Sequence, residues 1–500
     1  MSSLGKRVAV IGLDGCSWEY LNKLLKQGIT PYLKHLLYKN VFKAKLYAFP
    51  PSTPPSWSSI MTGVNPGKHG VFDFLYFNRN NYRIRLTNTL DLEHPRVHEI
   101  LSFNKVRSIV INPIPSYPLL RIPRSIQISH LFFTPRLIWM PPNAKKYADL
   151  LDIMVKPAKD FNDSLDNANI NLERYLDLVE TLLSKESWNL FWINLPYPDN
   201  YLHKIDSGGI LQDKVYLGEA RLFSKIDRLV KLLDEVSDYI VIVSDHGFAH
   251  YKYILNINTL LYEKGLVTIS KDKGLKEFWE LQGLEEENVK RISPDNPLLR
   301  FILKTPFKRT INVLKKIYEK TTGRRLRLIE YSVDLVNSKA FLLSAYSYSI
   351  VIMDHSVTEL VKDIMVGLVG IKNVYLREEL FHGPHATKGG DVFIEPDYDK
   401  GYTLGKNKVT GIVIREKDTN NHHPLGILAI SGLSREDNYS DNVYPNYVVA
   451  NIIITLLDIP LSAEADGIDY VREIVGKVTK YNHTYVSKWK LVKKLSSINI

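Results

Sequence analysis

The sequence predicts an α/β fold in which a mostly parallel central sheet carries helices on both faces. Several short apolar runs end in an acidic or polar residue and then give way to a helical pattern, which is typical of parallel strands joined by crossover helices. The 500 residues suffice for one large α/β unit with an insertion, or for two domains. A composition of 45% hydrophobic and 24% charged residues is that of a globular protein.

Four apolar runs are predicted to be strands, and they are Val8–Leu13, Ser108–Ile111, Leu190–Leu195 and Tyr239–Val243. Between the last two, residues 214–236 carry apolar side chains at helical spacing, which predicts a crossover helix. Ligands of open α/β sheets bind beyond the carboxyl ends of the strands, so polar residues directly after these runs are candidate site residues. Such positions are held by Asp14, Asp199, Asp245 and His246.

The βα rhythm is interrupted once. Residues 271–328 are charged and mostly helical in pattern, and strand-like patterns resume at 340–352 and 426–430, where we expect the core to close. We therefore predict a core of residues 1–270 and 335–480, an inserted helical cap or subdomain at 271–334, and a C-terminal extension at 481–500.

Charge and cysteine content limit the partners and the compartment. A net charge of +11 favours acidic partners, among them phosphorylated substrates, nucleic acid and anionic membrane surfaces. The single cysteine, Cys16, excludes an internal disulfide framework and a multi-cysteine metal site. The first residues do not resemble a signal peptide, and no run of about eighteen apolar residues occurs. We therefore expect a cytoplasmic protein without a transmembrane segment.

Several acidic and histidine residues have the spacing of metal ligands. Asp199 and His203 are four residues apart, which places both side chains on one face of a helix or tight turn. Asp245-His246-Gly247 follows a strand, and an acid beside an imidazole at a sharp turn can reach one ion. Asp14-Gly15 repeats this arrangement, and His422-His423 precedes a late strand. Each pattern alone is common in turns and on surfaces, but their joint occurrence at strand ends indicates a metal site.

Residues 50–74 resemble the nucleophile segment of the type I phosphodiesterase and nucleotide pyrophosphatase family, within the alkaline phosphatase superfamily. The resemblance rests on Thr53 before Pro54-Pro55, on Trp57, on Thr62-Gly63 and on Asn65-Pro66-Gly67-Lys68-His69-Gly70. In chain order it also includes Ile11 to Gly15, the Asp199 and His203 pair, Ser244 to Phe248 and His422, so it spans roughly residues 6 to 435. It implies an alkaline-phosphatase-like sheet.

The resemblance also implies roles for these residues. Thr53 becomes the nucleophile, and two divalent metal ions are held, one by Asp14, Thr53, Asp245 and His246, the other by Asp199, His203 and His422. Two cations roughly 3.5 to 4 Å apart lower the pKa of a hydroxyl and neutralise a leaving group. Nitrogen and oxygen donors without thiolate favour zinc (Zn2+), although manganese (Mn2+) or iron (Fe) accepts the same set.

The nucleophile segment departs from the family pattern at two positions. Ser56 stands where the best-known members have an asparagine that contacts a phosphoryl oxygen, and Pro54 lacks the backbone donor directly after the nucleophile. Stabilisation of the transition state is then expected to rest on the metals and on Ser56 or Trp57 as substrate-binding residues.

Some assignments keep an alternative. Ser52 also carries a hydroxyl beside the nucleophile, and His423 adjoins His422. His69 is interpreted as a structural residue that packs under the nucleophile loop. His382 and His385 are a conceivable ligand pair, interpreted instead as part of a turn near the site entrance.

The predicted function is a phosphodiester or pyrophosphate-bond hydrolase that acts on a phosphorylated small molecule, such as a nucleotide or nucleotide sugar. A phosphomonoesterase or another phosphotransferase of the superfamily is the alternative, and a sulfatase is disfavoured because Thr53 has no Cys/Ser-x-Pro-x-Arg setting. From another class, the basic segment at 307–327 could bind an anionic membrane or nucleic acid. No clear nucleic-acid partner follows from the sequence, and neither does an oligomeric state.

Overall fold

The structure is a computed structural model. It describes residues 5–39, 41–130, 136–151, 158, 160–205, 215–270, 289–292, 325–328, 331–433, 442–481 and 483–497. Most of the predicted cap at 271–334, and most of the basic segment at 307–327, lies outside these described residues. Within that stretch, the strands Val289–Ile292 and Arg325–Leu328 pair in parallel with each other.

A nine-stranded, mostly parallel sheet forms the centre of the molecule. Its strands are β1 (Val8–Leu13), β2 (Val41–Tyr47), β5 (Ser108–Ile111), β6 (Ser125–Ser129), β7 (Ile138–Met140), β8 (Leu190–Leu195), β9 (Tyr239–Val243), β21 (Leu425–Ser431) and β22 (Val443–Pro445). The spatial order is β22-β2-β21-β9-β1-β8-β5-β6-β7. Strand β21 runs antiparallel to both of its neighbours, and β7 runs antiparallel to β6. All four strands predicted above, and the strand predicted at 426–430, belong to this sheet.

Helices cover both faces of the sheet. One face packs against α1 (Trp18–Lys26), α2 (Pro31–Tyr38), α7 (Phe161–Lys185) and α9 (Leu217–Asp234). The other packs against α3 (Thr53–Thr62), α5 (Val97–Phe103) and the later helices Val448–Leu456 and Ile468–Val475. Along β1, Ala9 and Ile11 point into the first core, whereas Val8 and Val10 point into the second. This explains why the strands read as continuous apolar runs. The crossover helix predicted at 214–236 is α9.

A second β region lies beside the central sheet. Strands β15 (Ala340–Leu342), β16 (Ser349–Ile352), β17 (Ile371–Leu376) and β18 (Val392–Pro396) form a four-stranded antiparallel sheet. Strands β10 (Gly247–Leu255), β19 (Tyr402–Leu404) and β20 (Ile414–His423) form a three-stranded sheet. The strand pattern at 340–352 therefore does not rejoin the central sheet as expected. Its apolar residues pack into a separate core with those of residues 255–267 and 392–409.

Shorter elements complete the described chain. They are α4 (Pro66–His69), β3 (Leu75–Asn78), β4 (Arg83–Leu86), α6 (Lys145–Ala148), α8 (Asp199–Leu202), α10 (Ile257–Glu263), β11 (Ile269–Ser270), β14 (Ser332–Val333) and the helices Thr358–Val366, Arg377–Leu380 and Val486–Ser497. The last helix belongs to the predicted C-terminal extension, and it buries Trp489 against Val71 and Leu92. Within the described ranges, no helix combines the length and the apolar character that crossing a bilayer requires.

Candidate metal centre

The predicted ligands meet at the carboxyl ends of three adjacent strands. Strand β1 lies between β8 and β9, and the three run in parallel, so the loops after them leave the sheet at the same edge. The backbone N–H of Asp199 donates to the carbonyl of Asp14 at 3.1 Å, and the N–H of Gly15 donates to Oδ1 of Asp245 at 3.3 Å. These bonds join the loops after all three strands.

Asp199, His203 and His422 form one group of ligand atoms. Oδ1 of Asp199 lies 3.3 Å from Nε2 of His203 and 3.2 Å from Nε2 of His422, and the two nitrogens are 3.1 Å apart. Ligand atoms at about 2.0–2.2 Å from a tetrahedral zinc ion lie about 3.3 Å from one another. The triangle therefore has the size of one face of a zinc coordination sphere.

The strand register selects His422 over its neighbour His423. In β20, His422 stands opposite Phe248 of β10, and successive side chains of a strand point to opposite faces. The His422 ring turns to the ligand group, whereas His423 packs against Tyr398 and accepts the Leu425 N–H at Nδ1.

Asp14, Asp245 and His246 form the second group. Nε2 of His246 lies 3.3 Å from Oδ2 of Asp245 and 3.6 Å from Oδ1 of Asp14. The His246 ring also stacks on that of His422, with ring centroids 3.9 Å apart. Consequently His246 is within reach of both groups, since its ligand atom also lies within 4.8 Å of those of Asp199 and His422.

The charges at the site are not balanced by the protein alone. Burial raises the pKa of Asp14 well above its usual value, and the negative charges of Asp245 and Asp199 raise it further. Burial and Asp199 likewise raise the pKa of Asp245. Burial also acts to raise the pKa of Asp199, but the adjacent His203 and His422 outweigh it and hold this pKa well below its usual value.

Four ligand atoms of the two groups are buried without a hydrogen-bond partner within the described part of the chain. They are Oδ1 of Asp14, Oδ1 of Asp199, Oδ2 of Asp245 and Nε2 of His246. Buried polar atoms are rarely left unpaired, because desolvation costs free energy that a partner must offset. Six oxygen and nitrogen donors, four of them unpaired, fit two divalent cations, and such donors suit zinc.

Residues at the start of α3 contact both groups. Thr53 is the first residue of this helix and is buried. On one side of it, the carbonyl of Pro51 accepts a hydrogen bond from Nδ1 of His422 at 2.9 Å. On the other side, Nε1 of Trp57 donates to Oδ2 of Asp14 at 3.0 Å. The residues that flank Thr53 thus contact one ligand of each group.

Comparison with known proteins identifies the family. Residues 8–335 match the model of the type I phosphodiesterase / nucleotide pyrophosphatase family. The chain belongs to this family. An ectonucleotide pyrophosphatase/phosphodiesterase of Caenorhabditis elegans, C27A7.3, is 25% identical over 272 residues, which are 52% of this chain and 31% of the relative. The chain therefore matches less than a third of the length of this curated relative.

Solved structures share the fold at low sequence identity. Phosphonoacetate hydrolase from Sinorhizobium meliloti 1021, in complex with phosphonoformate, gives a TM-score of 0.56 at 15% identity, over 91% of this chain and 96% of that chain. Murine ectonucleotide pyrophosphatase / phosphodiesterase 5 gives 0.54 at 13%, over 94% and 100%. Wild-type alkaline phosphatase PafA gives 0.52 at 12%, over 92% and 97%. The predicted alkaline-phosphatase-like fold is confirmed.

In this chain, Ser56 and Trp57 of the segment that resembles the family motif make contacts within the protein. Oγ of Ser56 donates to the carbonyl of Pro50 at 3.1 Å, and Trp57 donates to Asp14. Their predicted role in substrate binding stays a prediction. Sequence reasoning missed the Trp57–Asp14 bond, and the chain offers no local signal for it. Oγ of the alternative nucleophile, Ser52, is buried without a partner among the described residues.

The other histidines that the sequence singles out lie outside the two groups. His69 is buried, accepts the N–H of Val71 at Nδ1, and shares a 2.9 Å hydrogen bond with Ser59 of α3. This agrees with its interpretation as a structural residue of this family motif. His382 contacts Asn65, and the N–H of His385 donates to the carbonyl of Gly67. Both lie beside α4, which follows the carboxyl end of α3. Their interpretation as part of a turn near the site entrance stays a prediction.

Proposed function

We propose that this chain is a metal-dependent hydrolase of phosphodiester or pyrophosphate bonds, with two metal ions and Thr53 as the nucleophile. The observation that carries the proposal is the pair of ligand groups with unpaired buried atoms, which Pro51 and Trp57 contact on either side of Thr53 in the chain. Membership of the phosphodiesterase and nucleotide pyrophosphatase family supports it.

Each part of the site has a task in this reaction. Two divalent cations would lower the pKa of a hydroxyl and neutralise charge on the phosphoryl oxygens. Zinc is the first candidate, and the same donors would also bind manganese or iron. Thr53 attacks phosphorus, so that a threonine–phosphate ester forms as the leaving oxygen departs, and water then hydrolyses this ester. Because Pro54 and Pro55 have no N–H, the helix offers few backbone donors to the phosphoryl group. Stabilisation of the negative charge on the phosphoryl group would therefore depend mainly on the cations.

The substrate class follows from charge. The nucleophile segment contains no arginine or lysine before Lys68, and the Lys68 ammonium is occupied by Asp466 at 2.5 Å and by the carbonyl of Glu464 at 2.8 Å. A monoester carries one more negative charge than a diester, and this segment has no free cation to balance it. We therefore propose diesters and pyrophosphates as substrates, with nucleotides and nucleotide sugars as the first compounds to test.

Parallel hydrolysis assays test the proposal. The purified protein is offered an aryl phosphodiester, the matching phosphomonoester, a nucleotide sugar and a sulfate ester, before and after chelation. We expect the diester to react fastest, chelation to abolish turnover, and zinc to restore it. Chelator-resistant activity in a protein without bound transition metal would contradict the metal mechanism, and faster turnover of the monoester would contradict the substrate class.

A further inference from the structure

A buried chain of hydrogen bonds ties α8 to two other helices. Tyr201 lies on α8 between the ligands Asp199 and His203, and its hydroxyl is 2.6 Å from the hydroxyl of Tyr20 on α1. The Tyr20 hydroxyl donates to Oε1 of Glu219 on α9, also at 2.6 Å. All three side chains are buried, and Glu219 and Tyr201 are 0% exposed. The chain of bonds therefore runs from the metal-ligand turn into the helical layer behind it.

The acceptors determine the direction of each proton. The Tyr20 hydroxyl donates its proton to Glu219, so the Tyr20 oxygen is left to accept the proton of Tyr201. Oε2 of Glu219 accepts the backbone N–H of Tyr216 at 2.8 Å. Both carboxylate oxygens and both hydroxyl protons are therefore used. Removing any one group leaves another without its partner.

The turn that carries the ligands needs such an anchor. Helix α8 has only four residues, and Pro198, the N-cap residue before it, provides no side-chain cap. So short a helix makes too few internal hydrogen bonds to hold its own orientation. Because side chains two positions apart on a helix point in nearly opposite directions, Tyr201 points away from Asp199 and His203. Its ring packs on Phe161, with centroids 5.9 Å apart.

Glu219 is costly to bury and has no cationic partner. Within the described residues, Glu219 forms no ion pair with a lysine, arginine or histidine, and its contacts are the two hydrogen bonds above. A buried carboxylate without a counter-charge destabilises the fold unless its hydrogen bonds compensate. An apolar residue here would lose the hydrogen bond from Tyr20 and the one from the Tyr216 N–H, which forms the capping box of α9. The carboxylate is therefore explained by what its bonds hold in place.

We propose that Glu219, Tyr20 and Tyr201 are positioning residues for the metal site of Asp199, His203 and His422. The bonds prevent rotation of α8 about its axis, which keeps the Asp199 carboxylate and the His203 imidazole directed at one point. The inference rests on the proposed function, because it takes these ligands to bind a divalent cation. Loss of the bonds should weaken binding at this site and spare the site of Asp14 and Asp245.

Two conservative variants and one matched control test the inference. Tyr201→Phe removes the bond to α8 and keeps the bond between Tyr20 and Glu219. Glu219→Gln preserves the shape of the side chain, but its NH2 group cannot accept, so one of the two bonds is lost. Tyr147→Phe is the control, since it removes another tyrosine–glutamate bond, the half-buried one from Tyr147 to Glu186 at 2.5 Å, away from α8.

Metal binding of the full-length protein is measured by zinc titration against a competing chelator and by the visible absorption of the cobalt(II) form. We expect Tyr201→Phe and Glu219→Gln to lose roughly tenfold or more in affinity for one of two ions, with an altered cobalt spectrum, and Tyr147→Phe to match the wild type. Should Glu219→Gln fail to fold, Tyr201→Phe decides alone. Two ions bound as in the wild type, or equal loss of both, would overturn this inference and leave the proposed function standing. A wild-type protein that binds no ion would overturn both.

Discussion

Two backbone carbonyls determine which nitrogen of each central histidine faces the metal centre. Nδ1 of His422 lies 2.9 Å from the carbonyl of Pro51, and Nδ1 of His246 lies 3.0 Å from the carbonyl of Gly247. A carbonyl only accepts, so each Nδ1 carries the proton and each Nε2 presents a lone pair. The imidazoles are therefore in the tautomer that binds metal.

Substitution of Thr53 tests the nucleophile. Thr53→Ala removes the attacking hydroxyl, so we expect diester turnover to fall by at least about 10³-fold, while Asp14, Asp245 and His246 still hold their ion. Thr53→Ser should retain part of the activity. Steady-state kinetics and elemental analysis of the same preparations measure both quantities.

Ser52→Ala is the matched control for Thr53, because Ser52 is the neighbouring buried hydroxyl. We expect it to remain active. The covalent route has two in-line steps, so hydrolysis of a phosphorus-chiral diester should proceed with net retention. Inversion, or an inactive Ser52→Ala beside a nearly wild-type Thr53→Ala, would disprove the assignment.

A buried carboxylate outside the metal groups makes stability depend on pH. Burial raises the pKa of Asp73 to about 7, although hydrogen bonds from Ser344 and from the Phe74 N–H act to lower it. The folded protein thus binds a proton that the unfolded chain releases near its usual pKa of 3.8. The stability contributed by the protonated group is lost as pH rises from about 4 to about 7.

Asp73→Asn isolates this effect because asparagine does not titrate. Between pH 5 and pH 7 we expect the free energy of unfolding of the wild type to fall, relative to the variant, by up to about 1.4 kcal/mol per pH unit. Urea unfolding at several pH values measures the difference in free energy of unfolding between the wild type and the variant. The titration of all other groups is common to both proteins and cancels in this difference. Parallel pH profiles for the two proteins would show that Asp73 is ionised throughout this range.

At the scale of elements, short segments owe their places to long-range contacts. Helix α4 has four residues, yet the carboxylate of Asp466 accepts from the backbone and side chain of its N-cap residue, Asn65, each at 2.9 Å. Gly63 adopts φ 74° at the end of α3, where a side chain would collide with Asn451. Contacts with distant residues thus hold the carboxyl end of α3 in place.

The helix Val486–Ser497 is predicted to be an integral part of the fold. Trp489 is fully buried in a cluster with Val71, Leu92, Leu120 and Ile122. Trp489→Ala should therefore lower the free energy of unfolding by roughly 3–5 kcal/mol and expose the C-terminal helix to proteolysis. Leu491→Ala is the control on the same helix, since Leu491 is 60% exposed, and it should change stability by less than about 0.5 kcal/mol. Urea unfolding and limited proteolysis distinguish the two, and equal effects would contradict the packing.

At the scale of the whole molecule, the central sheet gathers like charges that the fold alone does not neutralise. Asp14, Asp199 and Asp245 are brought together at one edge of the sheet, where Asp199 raises the pKa of both others and Asp245 raises that of Asp14. Their mutual repulsion opposes folding of the metal-free chain. Divalent cations should therefore stabilise the folded state as well as serve catalysis.

Thermal unfolding tests this coupling between metal and fold. Two ions at a thousand times their dissociation constants contribute about 4 kcal/mol each, which for 500 residues raises the melting temperature by on the order of 5–10 °C. Differential scanning calorimetry with zinc and with chelator measures the shift. The double variant Asp14→Asn/Asp245→Asn removes two of the repelling charges. It should therefore show a smaller shift in melting temperature on addition of zinc. An unchanged melting temperature would contradict metal binding by the native state.

Local sequence patterns predicted the strands, the crossover helix and the candidate ligands. The strands are buried on both faces, so they read as apolar runs without any knowledge of the fold, and polar residues directly after them mark the functional edge. Asp199 and His203 share a face because of helical spacing, and the segment 50–74 carries a family motif. Each of these features is contained in one continuous stretch of the chain.

Tertiary structure alone decided what depends on distant parts of the chain. Only the pairing of β10 with β20 turns His422 rather than His423 to the ligands, because shifting a strand by one residue reverses its faces. The bonds of Trp57 to Asp14 and of Tyr201 through Tyr20 to Glu219 join separate elements, and residues 340–352 joined another sheet. Apolar periodicity shows that a segment is buried. It does not show which partner buries it, because hydrophobic burial is not directional.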